Sequence, residues 1–429
     1  MKKFIALTVS VILIALTFTA CMGGNNVSED NNGQIDNKKT VTLRLWGAQD
    51  DKEMLTKLID EFKKDHPEKE WDIKLSFVGE DDAATEILKD VSAAADVFAF
   101  ASDQIATLKK AGALYRVTDT KIKTRNNSSS VLAATVDGDI YAYPASSDTF
   151  FLYYDKSIFS EGEVKSLESI LAKNTGDKVT NFAMKIDDGW YSSSFFFTAG
   201  CTLFGEKGTD KTQCDFNSDK GVMAANYIID LVNNKNFASL DDAKIKAGFK
   251  ARTLGSAVSG TWNAEDIKNS LGDDFGVAKL PTIKLNGEDR NMISMANFKL
   301  YGVNAQTKHP EEAHMLANFL TDRKAQEARF RNRSYAPTHM ELSEDKEIMS
   351  SNEVVGALTA QSMHSILQTS IDQVSNFWTP AEAFGTGLID GTVTKENVKQ
   401  KLDAFVSAVL ASTNKEEESS TEKEILTDK

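Results

Sequence analysis

Histidines, paired acids and cysteines are the residues in this chain whose types could do chemistry. The histidines (His66, His309, His314, His339 and His364) are scattered. None has the spacing of a metal site, and each reads as a surface residue. Acidic doublets are frequent: Asp50-Asp51, Asp81-Asp82, Asp187-Asp188, Asp241-Asp242 and Asp273-Asp274. A glycosidase needs two carboxylates flanking a sugar bond, but acidic doublets commonly form solvated faces or turns, and these are read that way. HExxH, GxSxG, a Walker loop and GxGxxG are all missing from the chain. Its nearest glycine cluster, Gly385-Thr386-Gly387, lacks the spacing. No residue pattern demands catalysis, a cofactor or a metal, and the expectation is a protein that is not an enzyme.

The ends of the chain set its compartment. Lys2 and Lys3 precede a mostly apolar run, Phe4 to Thr19, broken by Thr8, Ser10 and Thr17. That run is shorter than the roughly 20 apolar residues of a spanning helix, so residues 1–20 read as a signal peptide. Phe18-Thr19-Ala20-Cys21 resembles the bacterial lipobox, with Phe18 where Leu is usual. The resemblance implies that Cys21 becomes a lipidated N-terminus, anchored at ~0.8 kcal/mol per buried CH₂. Residues 21–39 then form a polar tether and residues 415–429 a charged, disordered tail, because neither holds enough apolar surface to offset the entropy of ordering. An exported location permits a disulfide between the two remaining cysteines, Cys201 and Cys214, worth ~3 kcal/mol in the chain-entropy model. The alternative is two free buried thiols. A net charge of −14 argues against nucleic acid or an anionic membrane surface as partner.

Between these ends strands and helices alternate. Val41 to Trp46 and Ile73 to Phe77 have the period of half-buried strands, and Met54, Leu55, Leu58, Ile59 and Phe62 place a helix over Asp50 to Asp65. Asp96 to Ala101 is a short apolar strand, followed by a helix from Asp103 to Ala111. Further strands are predicted at Ile140 to Pro144, Phe150 to Tyr154, Gly255 to Trp262 and Phe275 to Leu280. Further helices are predicted at Gly221 to Val232, Pro310 to Leu320 and Thr394 to Leu410. This pattern predicts an α/β fold with parallel sheet. The length predicts two domains, and the lack of a linker suggests domains that exchange chain segments.

Seven stretches then carry a resemblance, in order, across Val41 to Ser412: VTLRLWGAQDD, ADVFAFASDQIATLKKAGAL, DIYAYPASSDTFFLYYDKSIF, IDDGWYSSSFFFTAGCTLFG, GSAVSGTWNAEDI with FGVAKLPT, GVNAQTKHPEEAHMLANFLT and DQVSNFWTP. Together they resemble the extracellular solute-binding proteins of carbohydrate ABC transporters, within them the maltose/maltodextrin-binding branch. The resemblance implies the two-lobed periplasmic-binding-protein fold, with an interlobe cleft and crossing hinge strands. One lobe would take residues 40–146 plus 300–342 and the other 147–299 plus 343–414, with crossings near Ser146 to Phe150, Asn297 to Tyr301 and His339 to Leu342.

A pyranose has an apolar face that packs on an aromatic plane and hydroxyls that need partners, for which carboxylates are strong acceptors. The matched positions imply Trp190, Trp262 and Trp378 as stacking platforms, with Phe100 as a fourth, weaker one. They imply Asp103, Asp148 and Asp188 as acceptors, Gln49 and Asp50 at the family's acid–lysine pair, and Gln104 in place of a family Arg. Trp46 and Trp71 are assigned to core or lobe surface. The resemblance implies a monomeric, non-catalytic receptor that binds malto-oligosaccharide and passes it to membrane permease subunits. It would be lipid-anchored outside the cytoplasmic membrane of a Gram-positive-type cell. The alternatives are a receptor for another neutral oligosaccharide, or a surface adhesin or sensory co-receptor.

Overall fold

In the segment TVTLRLWG, alternate side chains face opposite sides of the extended chain. Val41, Leu43 and Leu45 are buried while Thr42 is exposed. In the computed structural model, which describes residues 39–411, this segment is the strand Thr40–Gly47. The signal peptide, Cys21, most of the tether and the charged tail predicted above lie outside the described residues. The strand pairs in parallel with Glu70–Phe77 on one side and Val97–Ala101 on the other. Helix Lys52–Asp65 connects the first pair and buries Leu55, Leu58 and Phe62. Val97–Ala101 is apolar at every position because all five residues are buried, as in a strand covered on both faces.

The long strand Ser294–Val303 breaks the expected parallel arrangement. It runs antiparallel to Val97–Ala101, pairing Leu300 with Phe100, and antiparallel to Tyr143–Asp148. Ser365–Leu367 adds in parallel along its first residues. The sheet is therefore mixed. Parallel neighbours need a crossover connection, whereas this strand arrives from outside the first sheet and is free to run the other way.

A second sheet has the order Phe275–Ala278, Phe151–Asp155, Ser256–Ser259, Phe182–Ala183, Phe237–Ala238. It too is mixed, with Phe151–Asp155 antiparallel to both of its neighbours. The sequence FFLYY serves two cores at once. Phe150, Leu152 and Tyr154 face one cluster, whereas Phe151 and Tyr153 face another with Phe249, Ile267 and Leu358. A separate core under the first sheet gathers Leu43, Leu55, Phe62, Phe98 and Phe100. Helix Arg323–Arg333 contributes to both sides, with Ala325 in the first-sheet core and Phe330 in the second. Among the described residues no helix is long and apolar enough to cross a membrane.

The expected disulfide is not formed. Cys201 and Cys214 are both free and buried. Cys214 pairs in antiparallel register with Leu203 rather than with Cys201. Burial pushes both thiols up to about 12. Two histidines also depart from the surface reading: His339 is buried, and the His314 ring meets the Tyr143 hydroxyl at 2.9 Å.

Candidate functional site

A cleft of about 830 Å³ opens between the edges of the two sheets. The turn Glu80–Asp82 and the segment Ser102–Gln104 supply one wall. Gln104 fixes that turn: its Nε2 donates to the carbonyls of Glu80 (2.9 Å) and Asp81 (2.7 Å), and its Oε1 accepts from Ala84 N–H (2.9 Å). Gln104 thus lines the cleft with its polar atoms already engaged, holding Glu80 and Asp81 in place. Asn297, on the long antiparallel strand, does the same for Asp103. Its Oδ1 accepts from Ser102 N–H (3.1 Å) while its Nδ2 donates to Asp103 Oδ1 (3.4 Å).

The floor is ionic. Lys299 Nζ lies 3.6 Å from Glu80 and 3.2 Å from the buried Tyr335 hydroxyl, over whose ring it also sits. Burial opposes its charge, but Glu80, Tyr335, Asp148 and Asp51 outweigh that and hold the ammonium's pKa well above its ordinary value. Asp148 is buried at the end of Tyr143–Asp148, and desolvation raises its carboxyl to about 7 against the pull of Lys299. Asp103 is also raised to about 7, first by desolvation and then by the charge of Asp81. Asp81 is open to solvent within the cleft, yet the protein crowded around it, and then Glu80, raise its carboxyl too. Buried Asp51 is taken by Arg333 Nε at 3.1 Å, and exposed Asp50 lies at the cleft mouth 3.7 Å from the same guanidinium.

The facing wall is aromatic. Gly260 precedes Trp262, and a Cβ at Gly260 would lie 2.0 Å from the indole, so only glycine lets the ring fold back over the backbone. Asp242 then fixes the ring: Trp262 Nε1–H donates to its Oδ2 (2.8 Å), while Asn263 Nδ2 (2.7 Å) and Ser259 Oγ (3.0 Å) donate to its Oδ1. Trp190 stacks beside Trp262 with centroids 5.7 Å apart and planes at 29°, and meets Phe150 edge-on at 5.1 Å. Asp188 caps helix Gly189–Thr198 by accepting from Trp190 N–H (2.9 Å), with Lys185 at 3.5 Å. Helix Ser375–Ile389 carries Trp378 and Glu382 into the same cleft. It can approach because a Cβ at Gly189 would meet Ala381 at 2.6 Å and one at Gly385 would meet the Ile186 carbonyl at 2.3 Å. The glycine cluster set aside in the sequence therefore has a packing role.

Asp50, Asp103, Gln104, Asp148, Asp188, Trp190, Trp262 and Trp378 all line this one cleft. Phe100 does not. It is wholly buried in the first-sheet core, 5.6 Å from Phe98, and its neighbour Ala101 is the residue that reaches the cleft. A strand buried on both faces leaves no free side for a platform. Gln49 is exposed and lies next to the lining residues rather than among them. The acidic doublets are also corrected: Asp50, Asp81, Asp187, Asp188, Asp241 and Asp242 belong to the cleft, while Asp274 pairs with Arg252 at 3.1 Å. Glu80, Tyr335 and Glu382 were not singled out in the sequence. Asn297 and Lys299 entered only as part of the crossing Asn297 to Tyr301, and Asp242 only as half of a doublet.

The profile of bacterial extracellular solute-binding proteins matches residues 57–354. A galactooligosaccharide-binding protein of Bacillus subtilis (strain 168) is 29% identical over 321 residues, covering 72% of this chain and 74% of its own length. A solved structure with acarbose is 35% identical with a TM-score of 0.81, covering 86% of this chain and 98% of that one. The maltodextrin-binding protein MalE1 of L. casei BL23, solved without ligand, is 26% identical with a TM-score of 0.77, covering 87% of this chain and 100% of that one.

Proposed function

Since the chain belongs to the bacterial extracellular solute-binding proteins, we propose that it is the capture subunit of an ABC sugar importer and that its cargo is malto-oligosaccharide. One observation carries the reading: Trp190, Trp262 and Trp378 stand on one wall of the cleft and face Glu80, Asp81 and Asp103 on the other. Aromatic planes take the apolar faces of pyranose rings, and carboxylates accept from their hydroxyls. Neither wall alone satisfies a sugar. The bound state therefore favours lobes drawn together, and ligand shifts the population toward closure.

The lobes of this proposal are residues 40–146 plus 300–342 and 147–299 plus 343–414, turning about their crossings. Asp148, Asn297 and Lys299 lie where two of these crossings meet the cleft, so the groups that hold the carboxylate wall also sit at the pivot. Asp188 and Gln104 act partly through the backbone they hold, and Asp50 at the mouth. A lipid on Cys21 would keep the receptor beside permease subunits at the outer face of the membrane. Mass spectrometry of the N-terminus of membrane-bound protein tests this, and an unmodified Cys21 would refute it.

Titration calorimetry against maltotriose and maltotetraose tests the cargo, with binding expected and no heat with any α-glucan overturning it. A second reading, galacto-oligosaccharide, is favoured by the relative that bears that name and takes the same walls. The same titration with galacto-oligosaccharides separates the two.

A further inference from the structure

Apart from the cleft, a groove of about 540 Å³ runs between residues of the two lobes proposed above. One wall holds Ala106, Lys109, Lys110 and Leu132, and the other is built from the loop Lys207–Lys211 and the segment Leu367–Asp372. A hydrogen bond from the Thr369 hydroxyl to the Gly208 carbonyl ties the second wall together. Lys110 Nζ approaches Asp372 at 3.6 Å across the rim, and Lys211 pairs with the same carboxylate. Lys109 Nζ pairs with Asp137 at 2.8 Å.

In a chain of net charge −14 this groove is basic, with four lysines against two carboxylates, Asp137 and Asp372. Lys207 has no ion pair among the described residues. Leu132 is 63% exposed, and Leu367 with its neighbour Ile366 adds exposed aliphatic surface on the opposite side. An occupant that suits these walls is acidic and carries an aliphatic group.

The chain itself supplies one. The last described residue, Ala411, is fixed beside the groove: its carbonyl accepts from Gln373 Nε2 (2.7 Å) and Asn376 Nδ2 (2.9 Å). Gln373 directly follows Asp372 of the groove rim. Residues 412–429, STNKEEESSTEKEILTDK, carry six carboxylates against three lysines and one aliphatic pair, Ile425-Leu426. Glu416 to Glu418 begin five residues past Ala411, a reach of up to about 18 Å.

We propose that residues 412–429 lie in this groove, with their glutamates against its lysines and Ile425-Leu426 on its exposed leucines. Alone, the tail holds too little apolar surface to order itself, but such a segment orders on a surface that matches it. Exposed ion pairs are individually weak. Tethering offsets that weakness, because a short linker sets an effective concentration of about millimolar. The seated tail touches both walls and so straps the lobes together. The strap rests on the lobe division proposed above, whereas the docking does not depend on the cargo.

Zero-length carbodiimide cross-linking of the full chain, read by mass spectrometry, tests the docking. Tail glutamates are expected to join Lys109, Lys110, Lys207 and Lys211 at least fivefold more often than exposed lysines outside the groove, such as Lys74 and Lys244. In a mixture of isotope-labelled and unlabelled chains, the links are expected within single chains. The variant Leu132→Asp/Lys207→Glu, altered at two exposed groove positions, is expected to bring links at the other three lysines down to the outside level. Links spread evenly over exposed lysines overturn the inference, as do links that survive in the variant. Links joining labelled to unlabelled chains overturn it too and give the groove to a second copy.

Discussion

The two walls of the cleft are built on opposite plans. The first is polar and lightly anchored. Asp81 and Asp103 project from short turns, and Gln104 and Asn297 hold those turns by hydrogen bonds. The second is aromatic and rigidly packed, with Trp190, Trp262 and Trp378 on helices that close glycine contacts draw together. Area and direction are thus divided between them. The aromatic wall offers large, geometry-tolerant contact, and the carboxylate wall offers directional acceptors that discriminate one hydroxyl pattern from another. An open receptor would hold sugar on the aromatic wall first and recruit the polar wall by closing.

If that division holds, the largest loss of sugar affinity comes from the aromatic side. Trp378→Ala and Trp262→Ala are each expected to weaken sugar binding by about 2 kcal/mol or more, as for a desolvated aromatic anchor. Calorimetry reads this directly, and unchanged affinity removes that platform. At pH 8, above the value of about 7 for its carboxyl, Asp103→Asn should weaken binding by about 1–2 kcal/mol, because a charged acceptor becomes a neutral one. A loss as large as that of the tryptophans would erase the proposed division.

The same substitution has a second, pH-dependent readout. The Asp103 carboxyl binds its proton more tightly in the folded chain, at about 7, than at its ordinary 3.8. Its stabilising contribution is therefore complete below 3.8 and is lost as the pH rises through about 7. Asp103→Asn should raise the melting temperature at pH 8 by several degrees, and raise it less at pH 5, in thermal scans without sugar. An equal shift at both pH values would show that Asp103 titrates normally. The smallest effect belongs to Phe100→Leu. It lowers stability by thinning the first-sheet core but leaves sugar affinity unchanged, since the ring never reaches the cleft. A clear loss of affinity would return Phe100 to the site.

Legibility followed local period. Strand Thr40–Gly47 and helix Lys52–Asp65 stood out because each buries one face and exposes the other. Helix Gly189–Thr198 showed no such pattern, since nearly all of GWYSSSFFFT is buried and no polar stripe marks its period. The strand Ser294–Val303 was recognised only at its central hinge residues. Its sequence alternates imperfectly, because different parts of it face two cores and the cleft floor. The tryptophans were placed through the order of the matched stretches, whereas Phe100 was misplaced because that order says nothing about which side of a doubly covered strand is free.

What the sequence determined alone was the α/β alternation, the acidic character, and the set of aromatic and acidic residues available to a sugar. Those properties follow from residue type and short-range spacing. Only the tertiary structure decided which acids came to line the cleft. Asp81, Asp187 and Asp242 share the cleft although their neighbours in sequence give no reason for it, and Asp274 is drawn off by Arg252. Lys299 meets Glu80 and Tyr335 from distant parts of the chain. Cys201 and Cys214, close in sequence, are both buried and stay free. Charge and burial are set by neighbours in space, and the spatial neighbours here come from chain crossings that no local period records.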